Sequence, residues 1–286
     1  MVSLSFIKVD YCGNKYILVF SNYMSKLAPE NKFLDFSDYG RAPARVLAKS
    51  LVNTKFIPVH ITILFMISGL YSAYFMLKGE FVIAGALLVI KSILDAADGE
   101  LARLRNKPSY IGRYLDSVFD LILNFILLFT INTITQGDWK LMVIAFVALQ
   151  LQGTVFNYYY LIVRNNMAGG DTTSRIKENS FPKALHGENQ WAVNILFVLY
   201  SVLYGGFDRI IIALDSKAQQ VKNIPGWFMS FVSLYGLGFQ LLVMAVMLAA
   251  NLIHYIIPFF IIYSLLIVVL ILIRKIVITP TQLTQK

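Results

Sequence analysis

The chain has 286 residues, 57% of them apolar and 14% charged, against about 45–50% and about a quarter in soluble domains. A mean hydropathy of +0.65, gathered in several long apolar runs, excludes a soluble enzyme, a secreted disulfide scaffold and a disordered chain. The single cysteine, Cys12, excludes an internal disulfide and a cysteine zinc site, and the net charge of +9 reads, in a chain this apolar, as cytoplasmic loops and anionic headgroups rather than nucleic acid.

Residues 1–55 form a cytoplasmic N-terminal segment. Lys8, Asp10 and Lys15 interrupt every apolar stretch at the start, so no secretory signal is read there. Leu4 to Phe20 alternate around Cys12-Gly13-Asn14, which predicts a β-hairpin. From Ser37, a suitable N-cap, to Asn53 the spacing predicts a helix on which Arg41, Arg45 and Lys49 make one basic stripe. Such an amphipathic helix either lies on the inner membrane surface, its cations near lipid phosphates, or shows a solvated basic face.

Six apolar spans are expected next, at Phe56–Leu77, Phe81 to about Asp98, Ile111–Ile134, Leu141–Val163, Trp227–Ala250 and Ile253–Ile273. Trp191–Leu214 is apolar too, but Gly205-Gly206 and Asp208-Arg209 interrupt it. The loop after the second span holds Arg103, Arg105, Lys107 and Arg113, and the loop after the fourth holds Arg164, Arg175, Lys177 and Lys183. The turns after the first and third hold only Lys78 and Lys140. This bias puts the N-terminus and the two basic loops in the cytoplasm. If Trp191–Leu214 is half-inserted or interfacial, Arg274 and Lys275 fall on the same side, so six spans are expected and seven is the alternative. The prediction is an all-α polytopic integral membrane protein, with its transmembrane unit over 56–275, a polar tail at 276–286 and no internal repeat.

The stretch from Asp95 to Asp120 carries the chemistry. Asp95 lies about 20 Å beyond Phe81, on the order of 10 Å inside a hydrocarbon core about 30 Å thick. Asp98, Asp116 and Asp120 accompany it, and carboxylates at that depth need a cation to gather them. Spacings of three and four put each pair on one helical face, and antiparallel neighbours can point the pairs at one another. The result is a cage of hard oxygen ligands without His or Cys, suited to Mg²⁺ or Mn²⁺ shared with substrate phosphates. Gly99 leaves room for a close ligand, Arg103 offers a planar fork suited to a pyrophosphate, and Gly112 clears the start of the third helix. The competing reading is a set of helix-end charges with incidental spacing.

The pattern Asp95-x2-Asp98-Gly99-x2-Ala102-Arg103-x8-Gly112-x3-Asp116-x3-Asp120 resembles, without gap or substitution, the signature of the CDP-alcohol phosphotransferases. The resemblance implies a membrane-embedded homodimer with a two-metal site open to the cytoplasm. Such an enzyme moves a phosphoalcohol from a CDP-linked donor to an acceptor hydroxyl and releases CMP. Carried over by position, it makes Asp95, Asp98, Asp116 and Asp120 metal ligands, gives Asp120 the further role of general base, and lines the CDP site with Gly99, Ala102, Arg103 and Gly112. Pro58-x3-Thr62 is similar to the family's element before the first span, with Val59 in place of the usual Asn. The residues after Asp116 match neither the choline/ethanolamine nor the glycerophosphate subgroup. Because the resemblance makes it the commoner arrangement among compact six-span members, a CDP-diacylglycerol donor with a small polar acceptor is expected, with transfer from a CDP-amino alcohol to diacylglycerol as the alternative.

Other features carry weaker readings. Tyr158, Tyr159 and Tyr160 read as an interfacial belt or as the lining of an acyl path, Arg164 as a snorkelling residue or a phosphate clamp, and Lys91 as snorkelling or paired with a carboxylate or phosphate. His60, His186 and His254 are scattered, and Gly169-Gly170-Asp171 marks a loop. A secondary transporter also buries carboxylates, but typically dispersed at broken helices and in repeats. A non-catalytic scaffold would have little need of the intact aspartate set.

Overall fold

The computed structural model describes residues 33–166, 180–221 and 223–278, with no strand among them. The hairpin expected at Leu4–Phe20 and the loop at Gly169-Gly170-Asp171 lie outside these residues. A short 3₁₀ turn at Phe36–Asp38 leads into α1 (Arg41–Leu51). Ala44 and Ala48 of α1 are fully buried against Ala97 and Leu101. Of the basic stripe, Arg41 and Arg45 turn toward the buried Glu100 instead of outward, while Lys49 is exposed.

Pro58, whose missing N–H costs nothing in a first turn, opens α2 (Pro58–Leu77). Gly79, at φ +78°, reverses the chain into α3 (Phe81–Leu104). These antiparallel helices touch through small residues. Ser68 Oγ donates to the Leu87 carbonyl at 2.9 Å and Ser72 Oγ to that of Ala84 at 2.8 Å, each bond worth roughly 0.6 kcal/mol in a membrane interior. α4 (Tyr110–Thr135) is capped by Ser109, whose Oγ accepts from the Gly112 N–H at 2.8 Å. A Cβ at Gly112 would stand 3.3 Å from that oxygen, so glycine leaves room for the cap. Asp138 caps α5 (Trp139–Asn165) in the same way.

After α6 (Gln190–Leu214) come α7 (Gly226–Ser233) and α8 (Leu237–Ala249), bent by 44° from each other. The bend admits the Phe36–Asp38 turn. The Phe36 N–H donates to Ser233 Oγ at 3.0 Å, and a Cβ on Gly236 or Gly238 would overlap Ser37. α9 (Ile253–Tyr263), α10 (Leu266–Ile273) and a π turn at Arg274–Ile278 complete the bundle. Buried glutamines lock its middle: Gln240 Nε2 donates to Gln152 Oε1 at 3.1 Å, and Gln152 Nε2 to the Phe260 carbonyl at 3.0 Å.

By length and apolarity α2, α4, α5, α6 and the Ile253–Ile278 stretch can each cross a membrane, and α7 with α8 makes a sixth. α3 is 24 residues long but carries Lys91, Asp95 and Asp98, and it is enclosed by α1, α2 and α8. Outward residues such as Ile63, Ile67, Phe125, Phe129 and Val268 are apolar and exposed, as lipid contact requires.

The segment from Trp191 to Leu214 stays helical through Gly205-Gly206 and Asp208-Arg209. Its ends are tied to one end of the bundle. Glu188, just before it, accepts from Ser109 Oγ at 2.7 Å and from the Ile111 N–H at 2.9 Å, where α4 begins. Asp215, just after it, accepts from Tyr159 Oη at 2.6 Å and Tyr158 Oη at 2.7 Å, and Asn166 Nδ2 donates to the Val221 carbonyl at 2.8 Å, where α5 ends. Because α4 and α5 run antiparallel, the start of α4 and the end of α5 face the same side, and between them α6 packs against both helices. Arg274 pairs with Asp215, and Lys275 Nζ donates to the Leu214 carbonyl at 2.8 Å, which brings the last helix to that side as well. Tyr158, Tyr159 and Tyr160 are all buried, so they are core residues and not a belt.

Two outcomes test this architecture. In a Cys12→Ser background, cysteines at Lys107, Trp191 and Lys217 are expected to react with an impermeant thiol reagent from one side and a cysteine at Lys140 from the other. Arg274→Met strands the buried Asp215 carboxylate and should cost about 3–5 kcal/mol. In thermal unfolding in detergent, the double variant Asp215→Leu/Arg274→Met is expected to melt higher than Arg274→Met alone.

Candidate active site

The hairpin of α3 and α4 brings the four aspartates together, two from each helix, as their spacing predicts. Carboxylate oxygens of Asp95, Asp98 and Asp116 all lie within 4.8 Å of one another. Asp120 is not in that trio. Its Oδ1 accepts from Lys91 Nζ, which also donates to Asp95 Oδ2 at 2.7 Å. Lys91 is 2% exposed, and its ammonium stands 4.5 Å from the centre of the Phe65 ring. Of the two readings of this lysine, the structure selects the paired one. Asp98 is held from α2, where Thr62 Oγ1 donates to its Oδ2 at 2.7 Å. The Pro58-x3-Thr62 element thus touches the aspartate cluster directly.

Four carboxylates against one ammonium leave a large negative excess inside an apolar bundle, which favours further cations. Oxygens sharing one Mg²⁺ at about 2.1 Å stand roughly 3–4 Å apart, so the trio needs only small side-chain rotations to share an ion. Asp116 Oδ1 is buried without a hydrogen bond, a ligand atom left to be satisfied. The residues therefore fit a hard divalent cation.

Toward the end of α3 the substrate candidates Gly99, Ala102 and Arg103 follow. A Cβ at Gly99 would meet Arg103 Nη1 at 3.4 Å, an ordinary contact, and its φ is not positive. The protein's own packing therefore does not require glycine here, whereas at Gly112 the Ser109 cap does favour it. Arg103 Nη2 lies 3.3 Å from Glu100 Oε1, with Arg45 Nε at 3.5 Å and Arg41 Nε at 4.0 Å. Glu100, 1% exposed, organises three guanidiniums at this rim.

Over the other side lies α6. Tyr204 Oη donates to the Ser117 carbonyl at 2.8 Å, between Asp116 and Asp120. Tyr200 stacks on Tyr204 at 5.2 Å, and the Arg113 guanidinium lies 4.3 Å from the Tyr114 ring and 5.5 Å from that of Tyr200. Thr154 and Asn157 of α5 face Asp208 and Ile212 across a small cavity.

Glu100, Tyr200 and Tyr204 were not read from the sequence. A glutamate three residues before Arg103 on an otherwise apolar helix face was the available signal for the first. The tyrosines had none, since their place depends on how α6 crosses α4.

Residues 55–219 match the profile of the CDP-alcohol phosphatidyltransferases. Among curated proteins, the chain is 32% identical over 157 residues to a bifunctional IPC transferase and DIPP synthase of Thermococcus kodakarensis, covering 53% of this chain and 34% of that protein. It is 34% identical over 109 residues to an archaetidylinositol phosphate synthase of Pyrococcus horikoshii, covering 38% and 53% respectively. It is 30% identical over 120 residues to a CDP-diacylglycerol-serine O-phosphatidyltransferase of Mycobacterium leprae, covering 40% of each. The chain thus spans from about a third to about half of these relatives' own lengths, 34% to 53%. With the profile covering more than half of the chain, including the whole stretch from Asp95 to Asp120, the protein belongs to the CDP-alcohol phosphatidyltransferase family.

Proposed function

We propose that this protein transfers a phosphatidyl group from a CDP-diacylglycerol-type donor to the hydroxyl of a small polar acceptor, releasing CMP. The observation that carries this reading is the convergence of Asp95, Asp98 and Asp116 beside Asp120 at the junction of α3 and α4. The relatives, which include a CDP-diacylglycerol-serine O-phosphatidyltransferase and an archaetidylinositol phosphate synthase, favour this donor and acceptor over transfer to diacylglycerol. The basic loop after α3 supports a site on the cytoplasmic face. A homodimer, implied by the sequence resemblance, belongs to the same reading.

Asp95, Asp98 and Asp116 would hold Mg²⁺ or Mn²⁺, which, when bound, neutralises the donor pyrophosphate and the leaving CMP. Thr62 fixes the Asp98 carboxylate. Gly99 and Ala102 leave space for the nucleotide along α3, and Arg103, paired with Glu100, presents donors to a phosphate. Asp120, oriented through Oδ1 by Lys91, uses Oδ2 to accept the acceptor's hydroxyl proton. As that proton leaves, the acceptor oxygen bonds to the phosphorus carrying the lipid alcohol. The bridging P–O bond breaks and CMP departs with the electron pair.

With purified protein, CDP-diacylglycerol and a panel of polar alcohols, EDTA is expected to abolish CMP release and Mg²⁺ or Mn²⁺ to restore it. Full turnover in metal-free buffer would overturn the site assignment. Asp120→Asn, which cannot accept the proton, should lower turnover by about two or more orders of magnitude with much less effect on donor binding. Asp98→Asn should weaken donor binding and turnover together. Near-normal turnover of Asp120→Asn at saturating substrates would remove Asp120 as the base.

A further inference from the structure

Lys91 stands one helical turn before Asp95, inside the bundle, and its ammonium touches one aspartate of each helix. It donates to Asp95 Oδ2 at 2.7 Å and to Asp120 Oδ1, while the Phe65 ring covers it at 4.5 Å. An ammonium has three donors and no acceptor, so it can bridge two carboxylates as a cation does. The mutual approach of oxygens has the complementary pattern. Asp95, Asp98 and Asp116 group together, and Asp120, the residue that Lys91 holds across the helix pair, stands apart. A divalent ion placed between Asp95 and Asp120 would meet this ammonium at close range in a poorly screened interior. The two-ion arrangement implied by the signature alone is therefore at odds with the lysine found here.

We propose that Lys91 is a built-in cation of this site, its ammonium taking the place between Asp95 and Asp120, so that the site holds one divalent ion, at the Asp95–Asp98–Asp116 trio. Lys91 is then a positioning residue. It neutralises the outer pair of carboxylates, keeps Asp120 apart from the ion, and leaves that carboxylate to the acceptor. The inference rests on the reading that the trio binds a divalent cation.

The test counts ions without turnover. Full-length protein in lipid nanodiscs is titrated with Mn²⁺, and free Mn²⁺ is measured by electron paramagnetic resonance. One Mn²⁺ per chain is expected for the native protein and for Lys91→Arg, which keeps the charge. A second Mn²⁺ is expected in Lys91→Met or Lys91→Gln, checked by size exclusion to be monodisperse. Two ions per native chain would overturn the proposal while leaving the metal site intact, and no bound ion would overturn both. One ion in a well-folded Lys91→Met would show that something other than the lysine excludes the second. A native count of two overturns the proposal even if both neutral variants fail to fold.

Discussion

Carboxylates placed inside an apolar bundle are stable only where other charges and hydrogen bonds compensate them, and the arrangement around Asp95, Asp98, Asp116 and Asp120 follows from that constraint. α3 and α4 must be antiparallel and close, which the Ser109 cap and the short connection from Leu104 to Tyr110 provide. α2 must approach α3 closely enough for Thr62 to reach Asp98, and the small residues Ser68 and Ser72 permit it. Lys91 supplies resident positive charge, but the carboxylate excess remains. That excess suits the aspartate trio to a divalent cation.

α6 shows how composition and placement separate. It is as apolar and as long as a span, yet few of its side chains are buried, and its ends are fastened to the same side of the bundle. The fastenings are polar and specific: Glu188 on the start of α4, and Asp215 between Tyr159 and Arg274. Lying across α4, the helix brings Tyr200 and Tyr204 over the aspartates and encloses them on a side that the hairpin leaves open.

Five arginines at this end of the bundle are committed to local structure. Arg105 donates to the Leu51, Val52 and Thr54 carbonyls and so closes the end of α1, Arg113 lies against the tyrosine rings, and Arg41, Arg45 and Arg103 surround Glu100. This last group makes the rim beside the aspartates basic while a buried carboxylate holds it in place.

The sequence by itself determined the helical class, the apolar spans and the aspartate pairs, because hydrophobic run length and the three- and four-residue spacings on a helix are local properties that any packing preserves. It also allowed the aspartates to face one another, since antiparallel neighbours joined by a short loop can point both pairs inward. Only the tertiary structure decided which partner Lys91 takes, that Glu100 gathers Arg41 and Arg45, that α6 is fastened to α4 and α5, and that Tyr158 to Tyr160 are core. Each of these depends on a residue far away in the chain: Asp120 for Lys91, Arg41 for Glu100, Ser109 and Tyr159 for the anchors of α6, and Asp215 for the tyrosines. Hydropathy and periodicity describe what a segment can bury or expose, whereas the partner of a buried charge is set by which helices pack together, and that information is not local.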